Sequence, residues 1–269
     1  PEIQRPADWD RLPRFTLEGF RITADPALAP YYVYGVLMNP ANDVPGSLWE
    51  LRACLIQGLT YGVVLNDSWY GGAALIENVV VEHCEFARNG AGDGQSHNMY
   101  IGPVRSFTLR YSYSHHAIVG HNVKSRAINN FILYNRIADE QDGRASYAID
   151  LPDGGLSFVM GNLIQQGPEN DNRTVVAYGA ESYKNPLSEL YFVSNTVVND
   201  DPKGGRFVFI QAGADAVRLI NNLFVGPGEL VAGEAGARAD PGPPGGGFVG
   251  PGKAGFPPRA EEARGGEER

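Results

Sequence analysis

Leu133–Ala138 reads LYNRIA, and the same short figure returns as MGNLIQ at Met160–Gln165, VSNTVV at Val193–Val198 and INNLFV at Ile220–Val225. An apolar residue is followed by a variable one, an Asn, and then further apolar positions. Toward the amino terminus a looser version appears as LEGFRI from Leu17, LRACLI from Leu51, VEHCEF from Val81 and LRYSYS from Leu109. Successive starts are separated by 34, 30, 28, 24, 27, 33 and 27 residues. Such a spread does not suit a helical array of fixed length. It suits a solenoid whose strands are constant and whose loops vary.

The third position of the figure holds Gly19, Ala53, His83 and Tyr111 in the early copies and Asn135, Asn162, Asn195 and Asn222 in the later ones. Stacked β coils repeat every ~4.8 Å, close enough for each buried amide to bond its counterpart one coil away. A buried amide is tolerated when paired in this way. Cys54 and Cys84 share the fourth position, so they are expected to stack inside adjacent coils as small buried hydrophobes, with a disulfide sterically conceivable.

Every repeat carries a second strand: YGVLM from Tyr34, YGVVL from Tyr61, HNMYI from His97, HNVKS from His121, YAIDL from Tyr147, TVVAY from Thr174 and RFVFI from Arg206. Period-2 alternation turns Val36, Val63, Met99, Val123, Ile149, Val176 and Phe209 toward the core. Leu37, Val64, Tyr100, Lys124, Asp150, Ala177 and Ile210 then point outward. The fold class is all-β, a single-stranded parallel β-helix of about eight coils occupying residues 1–228. The Gly/Pro-rich and charged segment 229–269, with PGPPGGG and EEARGGEER, reads as an irregular tail with a short strand around Phe248.

Three successive outward positions, Tyr100, Lys124 and Asp150, break an otherwise apolar column. Asn98 and Asn122 are expected at the other outward position, Arg126 just beyond Lys124, and His97 and His121 at the corner before the strands. The Gly-rich loop ARNGAGDGQSHN, Ala87–Asn98, is long enough to line a cleft. His115 and His116 face either the same groove or a turn. Against a catalytic reading stands a plain one, a solvated cation–π and ion-pair ladder. Asp150, Asp153 and Glu181 offer oxygens for a Ca²⁺ ion; no other metal or cofactor is expected.

The bulk properties narrow the partners. A net charge of −9 argues against general nucleic-acid binding and leaves room for a local basic patch. No apolar run reaches the ~18–20 residues of a membrane span. The chain begins at Pro1 with no signal-like segment, so an export signal is expected to have been removed or never present.

The segments EFARNGAGDGQSHNMYIG, SYSHHAIVGHNVKSRAINNFILYNRI, YAIDLPDGG and GNLIQQGPENDN resemble bacterial right-handed parallel β-helix repeat proteins of the pectate-lyase-like superfamily, over roughly Glu85–Gly228. That resemblance implies the fold and the right hand of the coil. An acidic polysaccharide as partner, an extracytoplasmic location (periplasmic or secreted) and a monomer are expected. NVKSRAINNFILYNRI is similar, more weakly, to β-helical lyases of the chondroitinase-B and alginate-lyase type, which implies Lys124 as a catalytic base. Two features depart from that pattern: Asn122 or His121 stands where an acid often precedes the Lys, and the expected Arg of a later coil has no clear equivalent in Arg144 or Arg126.

β-Elimination on a uronate needs a neutralised carboxylate, a base for the C5 proton and an acid for the leaving oxygen. Asn98, Asn122 and Arg126 are expected to serve the first, Lys124 or His121 the second, Tyr100 or a His the third. His97, His116 and Asp150 are expected to contact substrate. An ordinary lysine titrates near ~10.4, so a lysine base must lose solvent or gain a cationic neighbour. Arg126 acts in that direction and Asp150 against it, which leaves His121 as the other candidate base. The rivals are a C5-epimerase, a glycoside hydrolase using Asp150 and Asp153, and a non-catalytic polysaccharide-binding β-helix with Tyr100 and Tyr178 as a stacking platform.

Overall fold

The computed structural model describes residues 14–24, 33–40, 43–66, 76–233 and 238–239. They form a right-handed parallel β-helix of about eight coils with three parallel sheets and no helix. Each coil contributes one strand to sheet A, one to sheet B and one to sheet C. The coil around LYNRIA shows the plan: Asn129–Leu133 lies in sheet A, Arg136–Ala138 in sheet B and Ile149–Leu151 in sheet C. The coils continue past Gly228, since Glu229–Gly233 pairs in sheet C and Arg238–Ala239 in sheet A. The expected strand around Phe248 and the rest of the tail lie outside the described residues.

Alternation fills the core. In sheet A the inward column runs Leu51, Val81, Leu109, Ile132, Val159, Phe192 and Leu219, all buried. In sheet C it runs through Val63, Met99, Val123, Ile149, Val176 and Val208. Val208, rather than Phe209, therefore faces the core. Phe209 points out beside Ala177, under the Arg206 guanidinium, and Ile210 is buried. In RFVFI every residue after Arg206 is apolar, so alternation alone does not choose the phase.

The corner from sheet A to sheet B is a single left-handed residue. Gly19, Ala53, His83, Tyr111, Tyr134, Gly161, Ser194 and Asn221 all take φ between 49° and 73° there. From the second coil on, the next residue points inward and builds the ladder, Cys54, Cys84, Ser112, Asn135, Asn162, Asn195 and Asn222, while Phe20 after Gly19 is exposed. The expected third-position column is thus corrected. Ala53, His83 and Tyr111 are the left-handed residues, and the Asn side chains continue the column of Cys54, Cys84 and Ser112. The slip arises at Leu133, which pairs with Arg110 and not with Leu109.

Each rung uses backbone and side chain together. The Asn135 backbone N–H and its Nδ2 both donate to Asn162 Oδ1, at 2.9 and 3.0 Å. Asn162 repeats the pattern onto Asn195, and Asn195 onto Asn222. Ser112 N–H donates to Asn135 Oδ1 at 3.0 Å, Cys84 N–H to Ser112 Oγ at 3.1 Å, and Cys54 N–H to Cys84 Sγ at 3.4 Å. A non-Gly residue in the left-handed region costs ~1–2 kcal/mol, offset here by a hydrogen bond at each rung. The two cysteines are stacked, buried and free, and burial pushes the Cys84 thiol up to about 12.

Candidate site on the outer face of sheet C

Tyr100, Lys124 and Asp150 are direct neighbours in sheet C, so the three-coil column read from the sequence is present. It is not a solvated ladder. Residues 179–188, connecting sheet C to sheet A, fold back over it. Glu181 and Ser182 N–H donate to Pro152 O, and Lys184 and Asn185 N–H to Asp153 O. Asn185 Nδ2 reaches Ala127 O at 3.0 Å. The Lys124 side chain is left 11% exposed and that of Asp150 3%.

Under this loop the charges interlock. Lys124 Nζ lies 3.2 Å from Asp150 Oδ2 and donates to Glu181 Oε1 at 3.0 Å. Arg126 donates from Nη2 to Glu181 Oε2 at 2.6 Å, from Nη1 to Asp153 Oδ1 at 2.8 Å and from Nε to the Tyr100 hydroxyl at 3.1 Å. Lys184 Nζ stands 3.3 Å from Asp153. Glu181 is thus a single carboxylate clamped between a lysine and an arginine, and it remains 43% exposed. Burial works to raise its pKa, but the hydrogen bonds from Arg126 and Lys124 outweigh burial and hold it below the usual value. For Asp150 burial wins over Lys124 and raises the carboxyl to about 6. Asp150 Oδ1 is buried with no hydrogen-bond partner among the described residues.

The two histidines before the strands belong to a different pattern. His97 and His121 stack at 4.5 Å, His121 meets Tyr147 at 4.8 Å, and Tyr34 stacks on Tyr61 at 4.6 Å. These five residues open the five second strands from YGVLM to YAIDL, so the ladder was written in the sequence as a column of Tyr and His. Backbone N–H groups of His121 and Tyr147 donate to Nδ1 of His97 and His121, at 3.0 and 3.3 Å. Nε2 of each neutral ring therefore carries the proton. His121 Nε2 faces Asp150 Oδ2 at 3.4 Å. Burial, then Lys124, lowers His97 to about 3, and burial with His97 and Lys124 beside it lowers His121 well below the usual range.

Asn98 and Asn122 are not on the outer face. Both are fully buried, at a bend before the strand where alternation does not hold. Asn98 Nδ2 donates to Asn122 Oδ1 at 2.9 Å, and Asn122 Nδ2 to Asp139 Oδ1 at 3.0 Å. They form a second internal ladder, begun by Asn89, whose Nδ2 donates to Asn98 Oδ1. Burial pushes Asp139, its last acceptor, up to about 7 against these donors. Tyr178, expected in an exposed platform, is fully buried and donates to Gly155 O at 2.7 Å.

His116 lies just after a sheet B strand with Asp142 and His115 as its partners, apart from the Lys124 cluster. The Gly-rich loop is braced by Asp93, which accepts from Gln95 N–H, Ser96 N–H and Ser96 Oγ. Asp150, Asp153 and Glu181 each face a cation, and no group of three or more His, Cys, Asp or Glu suited to a metal occurs among the described residues.

A largely buried cation pair, a phenol hydrogen-bonded to the arginine and a partly exposed carboxylate across both cations are the kinds of group that anion binding and transfer of one proton require. No family model, no curated protein and no solved structure matches the chain.

Proposed function

We propose that the outer face of sheet C binds a uronate carboxylate of an acidic polysaccharide and cleaves the adjacent glycosidic bond by β-elimination, as a pectate-lyase-like β-helix. The observation that carries this reading is Glu181. It bridges Lys124 and Arg126 with one oxygen on each, the way a substrate carboxylate would be held. It is the most exposed carboxylate of the cluster, ahead of Asp150 and Asp153, and comes from a loop, so it is the group a ligand displaces.

In this reading Lys124 neutralises charge instead of acting as the base, because its ammonium protons already serve carboxylates. Together with Arg126 it withdraws electron density from the uronate carboxylate and acidifies the C5 proton. The Tyr100 oxygen, steadied as an anion by the Arg126 Nε–H, takes that proton. The C5–H electron pair becomes the C4–C5 double bond, the C4–O bond breaks, and the phenol returns the proton to the leaving oxygen. His121 is unsuited to the base role, since its unprotonated nitrogen is occupied by the Tyr147 N–H. Asp150 and Asp153 are both tied to cations, which disfavours a hydrolytic acid–base pair.

The test is incubation with a panel of uronate polymers, following the ultraviolet absorbance of the 4,5-unsaturated product. The reading expects product from at least one polymer, abolished in Lys124→Ala and Arg126→Ala. Binding without product supports a binding module; new reducing ends without absorbance support a hydrolase.

A further inference from the structure

At the end of the sheet B strand Tyr113–His115, His115 and His116 sit side by side with rings crossed at 75° and Nδ1 atoms 2.5 Å apart. Each outer nitrogen has its own carboxylate. His115 Nε2 lies 3.2 Å from Glu85 Oε1, and His116 Nε2 lies 2.8 Å from Asp142 Oδ1. Arg88 reaches Asp142 at 3.4 Å from its other side. A neutral imidazole has one N–H, and a carboxylate neighbour draws it to the nitrogen it faces. Both Nε2 atoms therefore carry the hydrogen, and two Nδ1 lone pairs are left facing each other. That contact is repulsive unless one ring shifts its hydrogen to Nδ1, giving up the hydrogen bond to its carboxylate, or a cation sits between them.

We propose that His115 Nδ1 and His116 Nδ1 chelate a late first-row divalent ion, Cu²⁺ or Zn²⁺, with water completing the shell. Imidazole nitrogen is the donor these ions select, and a carboxylate on the distal N–H is the arrangement that orients a metal-binding histidine and raises its basicity. With metal–nitrogen bonds of ~2.0–2.1 Å, the two Nδ1 atoms need to part by only ~0.5–1 Å to reach an N–metal–N angle between square and tetrahedral. Backbone geometry favours the pair over any slack alternative. His115 ends the sheet B strand Tyr113–His115, its ring stacked on Tyr113 at 4.0 Å. His116 takes φ 53°, which swings its ring back toward its neighbour. The histidine side chains are 11% and 8% exposed and Asp142 68%, so an ion enters at the Asp142 edge. The donors are two, and the affinity expected is micromolar.

The test is titration of the untagged full chain with Cu²⁺ and with Zn²⁺ by calorimetry, together with electron paramagnetic resonance of the copper form. The proposal expects saturable one-to-one uptake, nitrogen hyperfine structure from two imidazoles, and unchanged uptake in His83→Asn, a variant of an exposed histidine elsewhere. His115→Asn and His116→Asn should abolish uptake while circular dichroism shows the fold retained. If those variants misfold, Asp142→Asn serves, since the residue is exposed; it should weaken uptake by about 10–100-fold. Absence of saturable uptake, which leaves a proton as the only bridging cation, overturns the proposal. So does uptake that survives both histidine variants, or that is unchanged in Asp142→Asn. The result is independent of the uronate reading, because neither histidine is among the partners of Lys124 or Arg126.

Discussion

If Glu181 holds the place of a substrate carboxylate, neutralising it should help the ligand and harm the fold. Its carboxylate makes two charged contacts, 3.0 Å to Lys124 and 2.6 Å to Arg126. Fully exposed pairs contribute ~0.2–1 kcal/mol each, and hydrogen bonds to charged groups ~1.5–3 kcal/mol. The cations are 11% and 15% exposed but the carboxylate is 43% exposed, so the value must be discounted toward the exposed end, to ~1 kcal/mol per contact. A ligand carboxylate has to replace about 2 kcal/mol of self-pairing, and Glu181→Gln, which keeps one acceptor oxygen, removes about 1–2 kcal/mol of it. At 1.4 kcal/mol per decade, uronate oligomers should bind about 5–30-fold more tightly to Glu181→Gln. The free protein should unfold with about 1–2 kcal/mol less stability. Calorimetric titration with a uronate oligomer and urea denaturation read the two effects. Binding that is unchanged or weaker in Glu181→Gln refutes the reasoning, because the carboxylate would then be no competitor.

Three further outcomes follow from the geometry. Tyr100→Phe removes only the hydroxyl beside Arg126, so product formation should fall at least ~100-fold while oligomer affinity changes little; initial rates and titration together check this. Asn162→Ala leaves the Asn135 N–H and the Ile132 carbonyl, both of which its amide serves, without partners, and should cost about 2–4 kcal/mol in urea denaturation. Asp139 is raised to about 7 by burial, above the ~3.9 of an unfolded carboxylate. Its folded form therefore keeps a proton that the unfolded form has lost, and stability falls as pH rises from ~4 to ~7, by an amount on the order of 4 kcal/mol. Asp139→Asn should gain on wild type across that window, as thermal melts at several pH values would show.

The fold was legible because it is written as a column. Asn135, Asn162, Asn195 and Asn222 recur at one place in successive coils, and the second strands alternate cleanly until RFVFI, where both faces are apolar. Alternation also found Tyr100, Lys124 and Asp150 as neighbours. It failed at Asn98 and Asn122, because the backbone bends just before the strand and turns both amides inward. The ladder of Tyr34, Tyr61, His97, His121 and Tyr147 stood in the sequence, but two histidines invited a chemical reading that their stacking does not need. Glu181 is visible in the sequence as an acid, one of three that offer oxygens for a Ca²⁺ ion. Its pairing with Lys124 and Arg126 depends on the path of residues 179–188 across sheet C, and no periodicity encodes the path of a loop.

The claim at the centre is that Lys124 and Arg126 recognise a carboxylate. Its most direct test compares, by calorimetry on the wild-type chain, a uronate oligomer with the same oligomer after its carboxyl groups are reduced to alcohols. The account predicts saturable binding of the acid form, weakened by added salt and lost in Arg126→Ala, with no binding of the reduced form. Equal binding of the two forms contradicts it.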